Sequence, residues 1–106
     1  MGVFGFLKLP DINQEIREYQ ADSRAVLLDV RDLQEYERGH VPGAVNIPRD
    51  EIERAKEVIP DPNTPIYAYC YSGRRSDLAV TALKKMGYRK VKNIGGIASY
   101  KGELES

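Results

Sequence analysis

The sequence contains few of the residues that would tie its fold to disulfides, metal ions or a membrane. Its 106 residues include one cysteine, Cys70, and one histidine, His40, so an internal disulfide is excluded and a typical closed metal site lacks ligands. The apolar stretch at residues 3–7 is too short for the core of a signal peptide or for a membrane-spanning helix. We therefore expect a cytoplasmic protein that holds no metal and no other cofactor.

An excess of charge of one sign is also absent. Sixteen Lys and Arg residues balance sixteen Asp and Glu residues, which gives no indication of a nucleic-acid or membrane partner. Hydrophobic residues make up 42% of the chain and charged residues 30%, which is typical of a folded globular protein. No internal repeat or long linker divides the sequence, so we expect a single domain over residues 1–106.

The hydrophobic pattern predicts strands that alternate with helices. Two continuous apolar runs, 25–30 and 65–70, are typical of strands buried on both faces of a parallel sheet. Shorter strand candidates are residues 3–7, 44–47 and 88–94. Helix candidates begin at Asp11 and Asp32, cover 50–58, begin again at Ser76, and follow a turn at Gly95 and Gly96. This alternation predicts an α/β fold with a mainly parallel central sheet and helices on both faces.

Capping residues mark several of the predicted helix boundaries. Asp11 with Gln14 and Asp32 with Glu35 have the spacing of capping boxes, and Gly39 is a stop signal for the second helix. We expect Ser76 to cap the helix after the cysteine, and Gly87 to end it. The predicted apolar face of that helix is Leu78, Ala79, Ala82, Leu83 and Met86.

Cys70 stands at the carboxyl end of the predicted strand 65–70, where open parallel sheets bind ligands. The chain then continues as Tyr71, Ser72, Gly73, Arg74, Arg75 and Ser76. Free backbone N–H groups at the following helix start can form an anion-binding nest, and Gly73 permits the tight backbone that this requires. Arginines add charge and can bind an oxyanion through two hydrogen bonds. Such surroundings lower the pKa of a thiol and attract an anionic substrate, an arrangement typical of covalent catalysis.

A buried structural thiol is the alternative interpretation of Cys70, because free cysteines often simply pack in protein cores. Two arginines so close to a core thiol argue against it, since unpaired buried charge is costly. The alternative stays open if both arginines are solvated at the surface.

Three blocks of the sequence resemble the rhodanese-like domains, and specifically the short, single-domain sulfurtransferases. In the order found in the family, they are Leu28–Arg31 with Glu35–Tyr36, Gly39–Pro48, and Cys70–Ser76. Gly95 and Gly96 fall where the family usually has a glycine pair. Tyr100 stands where the family often has tryptophan, and we expect this difference to alter C-terminal packing rather than the chemistry. The resemblance implies the rhodanese-like fold.

The resemblance also implies a sulfurtransferase that works through Cys70. In this mechanism Cys70 attacks the outer sulfur of a donor such as thiosulfate and becomes a persulfide. Cyanide or a thiol then removes the outer sulfur atom of the persulfide and restores the cysteine. The expected partners are therefore a small anionic sulfur donor and a thiol or cyanide acceptor. Because a second cysteine is absent, the persulfide must be released to an external acceptor.

The resemblance places the substrate cradle at Tyr71, Ser72, Gly73, Arg74, Arg75 and Ser76. Arg75 is predicted to bind the donor oxyanion. Asp29 and Arg31 end a neighbouring strand and are predicted to support the loop, although Asp29 capping nearby backbone amides is an equal alternative. His40 lies in a Gly-His-Val-Pro-Gly turn and is predicted to be structural.

Three tyrosines surround the cysteine along the predicted strand. Tyr67 and Tyr69 should pack on one face of the sheet, because side chains alternate between faces along a strand. Tyr71 is predicted to shape the rim of the pocket.

Cysteine-dependent phosphatases and arsenate reductases are one competing interpretation. Their loops place five residues between the cysteine and an arginine that binds a tetrahedral oxyanion. The same count from Cys70 leads to Ser76 rather than to arginine. The loop is thus one residue shorter, and it should suit a single sulfur atom better than a phosphoryl group.

A non-enzymatic binding or sulfur-relay module is the second competing interpretation. Such a module accepts persulfide sulfur from a partner protein and passes it on. Its cysteine motif would look the same, so the sequence leaves this alternative open.

Overall fold

A parallel β-sheet forms the centre of the protein. The computed structural model describes residues 10–106, and the strand predicted at 3–7 lies outside the described residues. Within the described part, four strands lie in the order β2-β1-β3-β4, all parallel. They are β1 (Val26–Asp29), β2 (Val45–Asn46), β3 (Ile66–Cys70) and β4 (Val91–Gly96). The predicted α/β fold with a parallel sheet is confirmed.

Helices precede or connect the strands. They are α1 (Ile12–Gln20), α2 (Leu33–Arg38), α3 (Ala55–Val58) and α4 (Arg74–Lys85). The helix predicted at 50–58 is wrong in its first half: Arg49–Arg54 is 3₁₀ helix with a kink at Glu51, and only the end is α-helical. A second 3₁₀ turn, Ile97–Ser99, follows β4. None of the helices described is long and apolar enough to cross a bilayer.

The sheet has a hydrophobic core on each face. Along β3, Ile66, Ala68 and Cys70 point into the core that contains α4. Tyr67 and Tyr69 point into the opposite core, against α1. This alternation confirms that the two tyrosines share a face, and it leaves every residue of β3 buried.

The predicted helix caps are largely confirmed. The Asp11 carboxylate accepts the backbone N–H of Asn13 at the start of α1, whereas the side chain of Gln14 contacts Arg17 instead of closing a capping box. At the start of α2, the Glu35 carboxylate accepts the backbone N–H of Asp32 at 3.1 Å, as expected for a capping box.

The start of α4 differs from the prediction. The helix begins at Arg74 with Gly73 as its N-cap, three residues before the predicted cap, so Ser76 lies inside the first turn and is fully buried. Gly73 makes the earlier start possible because its φ of +98° is accessible to glycine at little cost.

The apolar face of α4 is rotated relative to the prediction. Its buried residues are Ser76, Ala79, Val80 and Leu83, which have the i, i+3, i+4, i+7 spacing of one helix face. Leu78 is 55% exposed, and its predicted burial is wrong because Ser76 faces the core. Ala82 and Met86 pack at the edge of that core, and Gly87 follows the helix end with φ +104°, as predicted.

The glycine pair belongs to a strand rather than to the predicted turn. Gly95 and Gly96 are the last residues of β4, and Gly96 lies opposite Cys70 across an irregular part of the β3–β4 ladder. The sheet therefore carries the glycine pair directly beside the cysteine.

Candidate active site

The sulfur of Cys70 lies under a tight loop at the carboxyl end of β3. The residue is 1% exposed, and the chain passes through Tyr71–Gly73 before α4 begins. The Sγ atom accepts hydrogen bonds from the Gly73 backbone N–H at 3.0 Å and from the Ser76 hydroxyl at 3.4 Å. Both interpretations made from the sequence thus apply to Cys70. The residue packs in the core, and its sulfur atom is surrounded by hydrogen-bond donors.

These donors favour the thiolate. Burial opposes ionisation of Cys70 and is the largest single influence on its pKa. Hydrogen bonds from the Ser76 hydroxyl and from the backbone N–H groups of Ser76, Gly73 and Ser72 together outweigh burial, so the pKa lies below that of an ordinary cysteine. The direction agrees with the prediction, and the contacts assign it to the loop hydrogen bonds.

We expect the alkylation rate of Cys70 by iodoacetamide to rise with pH through a midpoint below that of free cysteine. Ser76→Ala removes a donor to the sulfur and should move the midpoint upward, because less of the burial cost is then offset. Ser72→Ala is the matched control, since its side chain is exposed and no hydrogen bond is found for its hydroxyl among the described residues. A wild-type midpoint at or above that of free cysteine would contradict the prediction.

Asn93 of β4 holds the cysteine loop through hydrogen bonds of its side chain. This role was not predicted from the sequence. Its Oδ1 accepts the Gly95 backbone N–H at 3.0 Å and lies 2.8 Å from Oγ of Ser76, while its Nδ2 donates to the Gly73 carbonyl at 2.9 Å. The Ser76 hydroxyl has a single proton, so Asn93 Oδ1 and Sγ are alternative acceptors for it, and Asn93 holds the hydroxyl beside Sγ. An asparagine inside a strand is unfavourable unless its amide has partners, and this was the available signal.

Gly96 provides the space in which the loop lies. A Cβ atom at this position would overlap the carbonyl oxygen of Tyr71 and would lie 2.7 Å from the Cα of Ser72. Its backbone has φ −125°, which any residue adopts, so glycine is required for space rather than for conformation. The glycine pair was recognisable in the sequence, but this role was not.

Arg75, the predicted oxyanion ligand, is paired with a carboxylate. Its Nη1 lies 2.7 Å from Oε1 of Glu35, and its Nη2 lies 3.2 Å from Oε2. The hydrogen bond from Arg75 is the main cause of a lowered pKa at Glu35. Arg74 is exposed. From the sequence, Glu35 was recognised as a capping residue and as part of a family motif, but not as a neighbour of the cysteine loop.

Asp29 and Arg31 form a buried ion pair at the end of β1. Asp29 is fully buried; its Oδ2 lies 2.7 Å from Nη2 of Arg31, and its Oδ1 accepts the Arg31 backbone N–H at 2.9 Å. Asp29 thus caps a backbone amide, which was the alternative predicted for it, and it also pairs with Arg31, which was not predicted. Arg31 also donates to the Gly39 carbonyl at 2.7 Å, and its guanidinium lies over the ring of Tyr69. The ion pair therefore contacts the residue before Cys70 and supports the cysteine loop only indirectly.

A cleft of about 350 Å³ lies beside the cysteine loop. Its lining residues are Arg31, Glu35, Arg38, Gly39, Tyr71, Ile97, Ala98 and Leu104. Tyr71 is 56% exposed at this cleft, in agreement with its predicted place at the rim. A larger cavity of about 560 Å³ lies at the other end of the sheet, near the beginning of β3 and β4, and the cysteine loop does not contribute to it.

His40 has structural contacts. Its ring stacks on Tyr36 with the centroids 3.8 Å apart, and its Nδ1 lies 2.9 Å from the Tyr36 carbonyl oxygen. Its backbone pairs with Glu105 in an antiparallel bridge. These contacts agree with the structural role predicted from its turn.

Comparison with known proteins finds similar sequences and solved structures. The family model of the rhodanese-like domain matches residues 13–103. YrkF of Bacillus subtilis (strain 168), named a putative sulfur carrier protein, is 43% identical over 101 residues, which cover 92% of this chain but only 54% of YrkF. The thiosulfate sulfurtransferase PspE of Escherichia coli (strain K12) is 44% identical over 71 residues, covering 66% of this chain and 68% of PspE.

The solved structures lead to the same family. A rhodanese from E. coli, solved with anions, has a TM-score of 0.71 and 38% identity, and the match covers 76% of this chain and 96% of that one. The family model covers most of the chain, and the solved rhodanese has the same fold as the described residues. The chain therefore belongs to the family of rhodanese-like domains.

Proposed function

We propose that the protein is a sulfurtransferase that carries sulfane sulfur as a persulfide on Cys70. The observation that carries the proposal is the Sγ atom of Cys70, which accepts the Gly73 N–H at 3.0 Å at the carboxyl end of a parallel strand. Sulfurtransferases among the relatives, such as PspE, support the same reaction class.

The first half-reaction consumes the donor. The thiolate of Cys70 attacks the outer sulfur of thiosulfate, a new S–S bond forms, and the original S–S bond breaks with its electron pair leaving on sulfite. The terminal sulfur of the persulfide then bears the negative charge. The N–H groups of Ser72, Gly73 and Ser76, which already lower the pKa of the thiol, are the donors that stabilise this charge.

The second half-reaction returns the thiolate. Cyanide or a thiolate attacks the terminal sulfur, and the electron pair of the persulfide S–S bond returns to Cys70. The cycle is therefore ping-pong, with the cysteine alternating between two anionic forms. We place Arg74 and Arg75 at the entrance as the cations that attract an anionic donor. A reactive free thiol suits a reducing compartment such as the cytoplasm.

Intact mass spectrometry tests the proposal directly. After incubation with thiosulfate, the wild type should gain the mass of one sulfur atom and lose it when cyanide is added. The control is Cys70→Ser, which should gain nothing because a hydroxyl cannot form the persulfide. A gain that persists in Cys70→Ser would place the sulfur elsewhere and contradict the proposal.

A sulfur-relay module is the second candidate, and the relative named as a putative sulfur carrier protein favours it. A relay should gain sulfur rapidly from a protein persulfide, such as a loaded cysteine desulfurase, while turning over thiosulfate very slowly. The same mass measurement with that donor separates the two candidates. No gain from either donor would contradict both.

A further inference from the structure

The cation predicted to bind the donor already has an anionic partner. Both terminal nitrogens of Arg75 face the two carboxylate oxygens of Glu35, at 2.7 and 3.2 Å, in the bidentate geometry of a strong arginine–carboxylate pair. The side chains are partly shielded from water, at 34% exposure for Arg75 and 29% for Glu35. The pair joins α2 to the first turn of α4, directly after the cysteine loop.

Glu35 thereby changes the electrostatics of the entrance. The carboxylate of Glu35 offsets the charge of Arg75, while Arg38 is an exposed cation that lines the cleft beside the loop. Glu35 also lines the cleft beside the loop, so its charge faces the space adjacent to Tyr71. A dianion that binds Arg75 must either displace this carboxylate or lie next to it, and both cost binding energy.

We infer that Glu35 is a specificity-determining residue that competes with anionic donors for Arg75 and so disfavours donors of high negative charge. The inference rests on the proposed function, because it concerns the donor of the same Cys70 site. The donors that it favours are sulfane-sulfur compounds with less negative charge than thiosulfate. The sulfur-transfer step itself is unchanged, and only binding of the donor depends on Glu35.

Glu35→Gln isolates this effect. Glutamine is accepted in a capping box, so its amide oxygen can still accept the Asp32 N–H that Glu35 accepts at 3.1 Å, and α2 keeps its N-terminal contact. The negative charge next to Arg75 is lost, and with it the hydrogen bond from Nη2 of Arg75, because the amide nitrogen that replaces Oε2 cannot accept it. Glu37→Gln is the matched control on the same helix, because Glu37 is exposed and no ion pair is found for it among residues 10–106.

We expect Glu35→Gln to lower KM for thiosulfate about threefold to tenfold, with the change in KM rather than in kcat. The gain should be smaller for benzenethiosulfonate, a monoanion that transfers its outer sulfur to Cys70 and leaves as benzenesulfinate. It should also shrink as salt is added, because both charges are partly exposed. Glu37→Gln should keep the wild-type KM for both donors.

Binding without transfer separates this inference from the proposed function. Calorimetry of thiosulfate with Cys70→Ser and with Cys70→Ser/Glu35→Gln should show tighter binding to the double variant. Tighter binding supports the role of Glu35 even if Cys70 of the parent protein never takes up sulfur, a result that would reject only the proposed function. If sulfur is transferred but Glu35→Gln leaves the KM and the affinity for thiosulfate unchanged, or weakens them, the inference is overturned.

Discussion

Gly96→Ala is expected to slow sulfur transfer from thiosulfate about 100-fold, because a displacement of about 1 Å in a reacting group can cost that much. The added methyl would overlap the Tyr71 carbonyl and press on Ser72. The backbone between Cys70 and Gly73 must then move, and the N–H donors around Sγ move with it. Overpacking of this kind also costs about 1–3 kcal/mol of stability. Single-turnover rates of persulfide formation, with urea unfolding in parallel, measure both effects.

Gly87→Ala is the matched control for this variant. Gly87 has φ +104°, so alanine there is strained and costs about 1–2 kcal/mol, but apart from its chain neighbours no atom of residues 10–106 lies within 4 Å of the place that its methyl group would occupy. It ends α4 on the side away from the loop, and its substitution should leave the transfer rate within about twofold. Equal rates in Gly96→Ala and Gly87→Ala would show that the loop does not depend on close contact with Gly96.

The two central strands and the caps of the first two helices could be predicted from the sequence because their signals are local, whereas β4 lies about three residues later than predicted at its start. Apolar runs gave β1 and β3 to within a residue at each end, and the acidic caps gave the starts of α1 and α2. The resemblance gave the cysteine loop because its motif is continuous along the chain. These features need no knowledge of what lies across the sheet.

The site residues that were not predicted from the sequence make contacts between distant segments of the chain. Glu35 reaches Arg75 across 40 residues, and Asn93 reaches Ser76 across 17. The same limitation explains the misplaced start of α4. The sequence pattern allows Ser76 to be a cap, but its burial against Asn93 and Cys70 selects an earlier start at Arg74. A residue's local pattern cannot show which partner its polar side chain will meet in the folded chain.

Asp29→Ala is expected to lower the free energy of unfolding by about 3–5 kcal/mol, because it leaves the buried guanidinium of Arg31 without its partner. The loss is large since Asp29 is fully buried and Arg31 is only 6% exposed, so water can replace the lost carboxylate only where Arg31 reaches the cleft. Total stabilities of domains are about 5–15 kcal/mol, which makes the loss easy to detect by urea unfolding. A loss below about 1 kcal/mol, the size typical of exposed ion pairs, would contradict the interpretation that Asp29 and Arg31 form a buried ion pair.

Asp29→Leu/Arg31→Met tests the reason for that loss. Removing both charges leaves neither ion unpaired, and apolar replacements of buried ion pairs are often close to neutral. The double variant should therefore be more stable than Asp29→Ala, although the Gly39 carbonyl loses the donor that lies 2.7 Å away in the wild type. If the double variant were as unstable as Asp29→Ala, the loss would come from packing at the end of β1 rather than from an unpaired charge. Recovery would instead show that Asp29 stabilises the fold beside the cysteine strand mainly by neutralising Arg31.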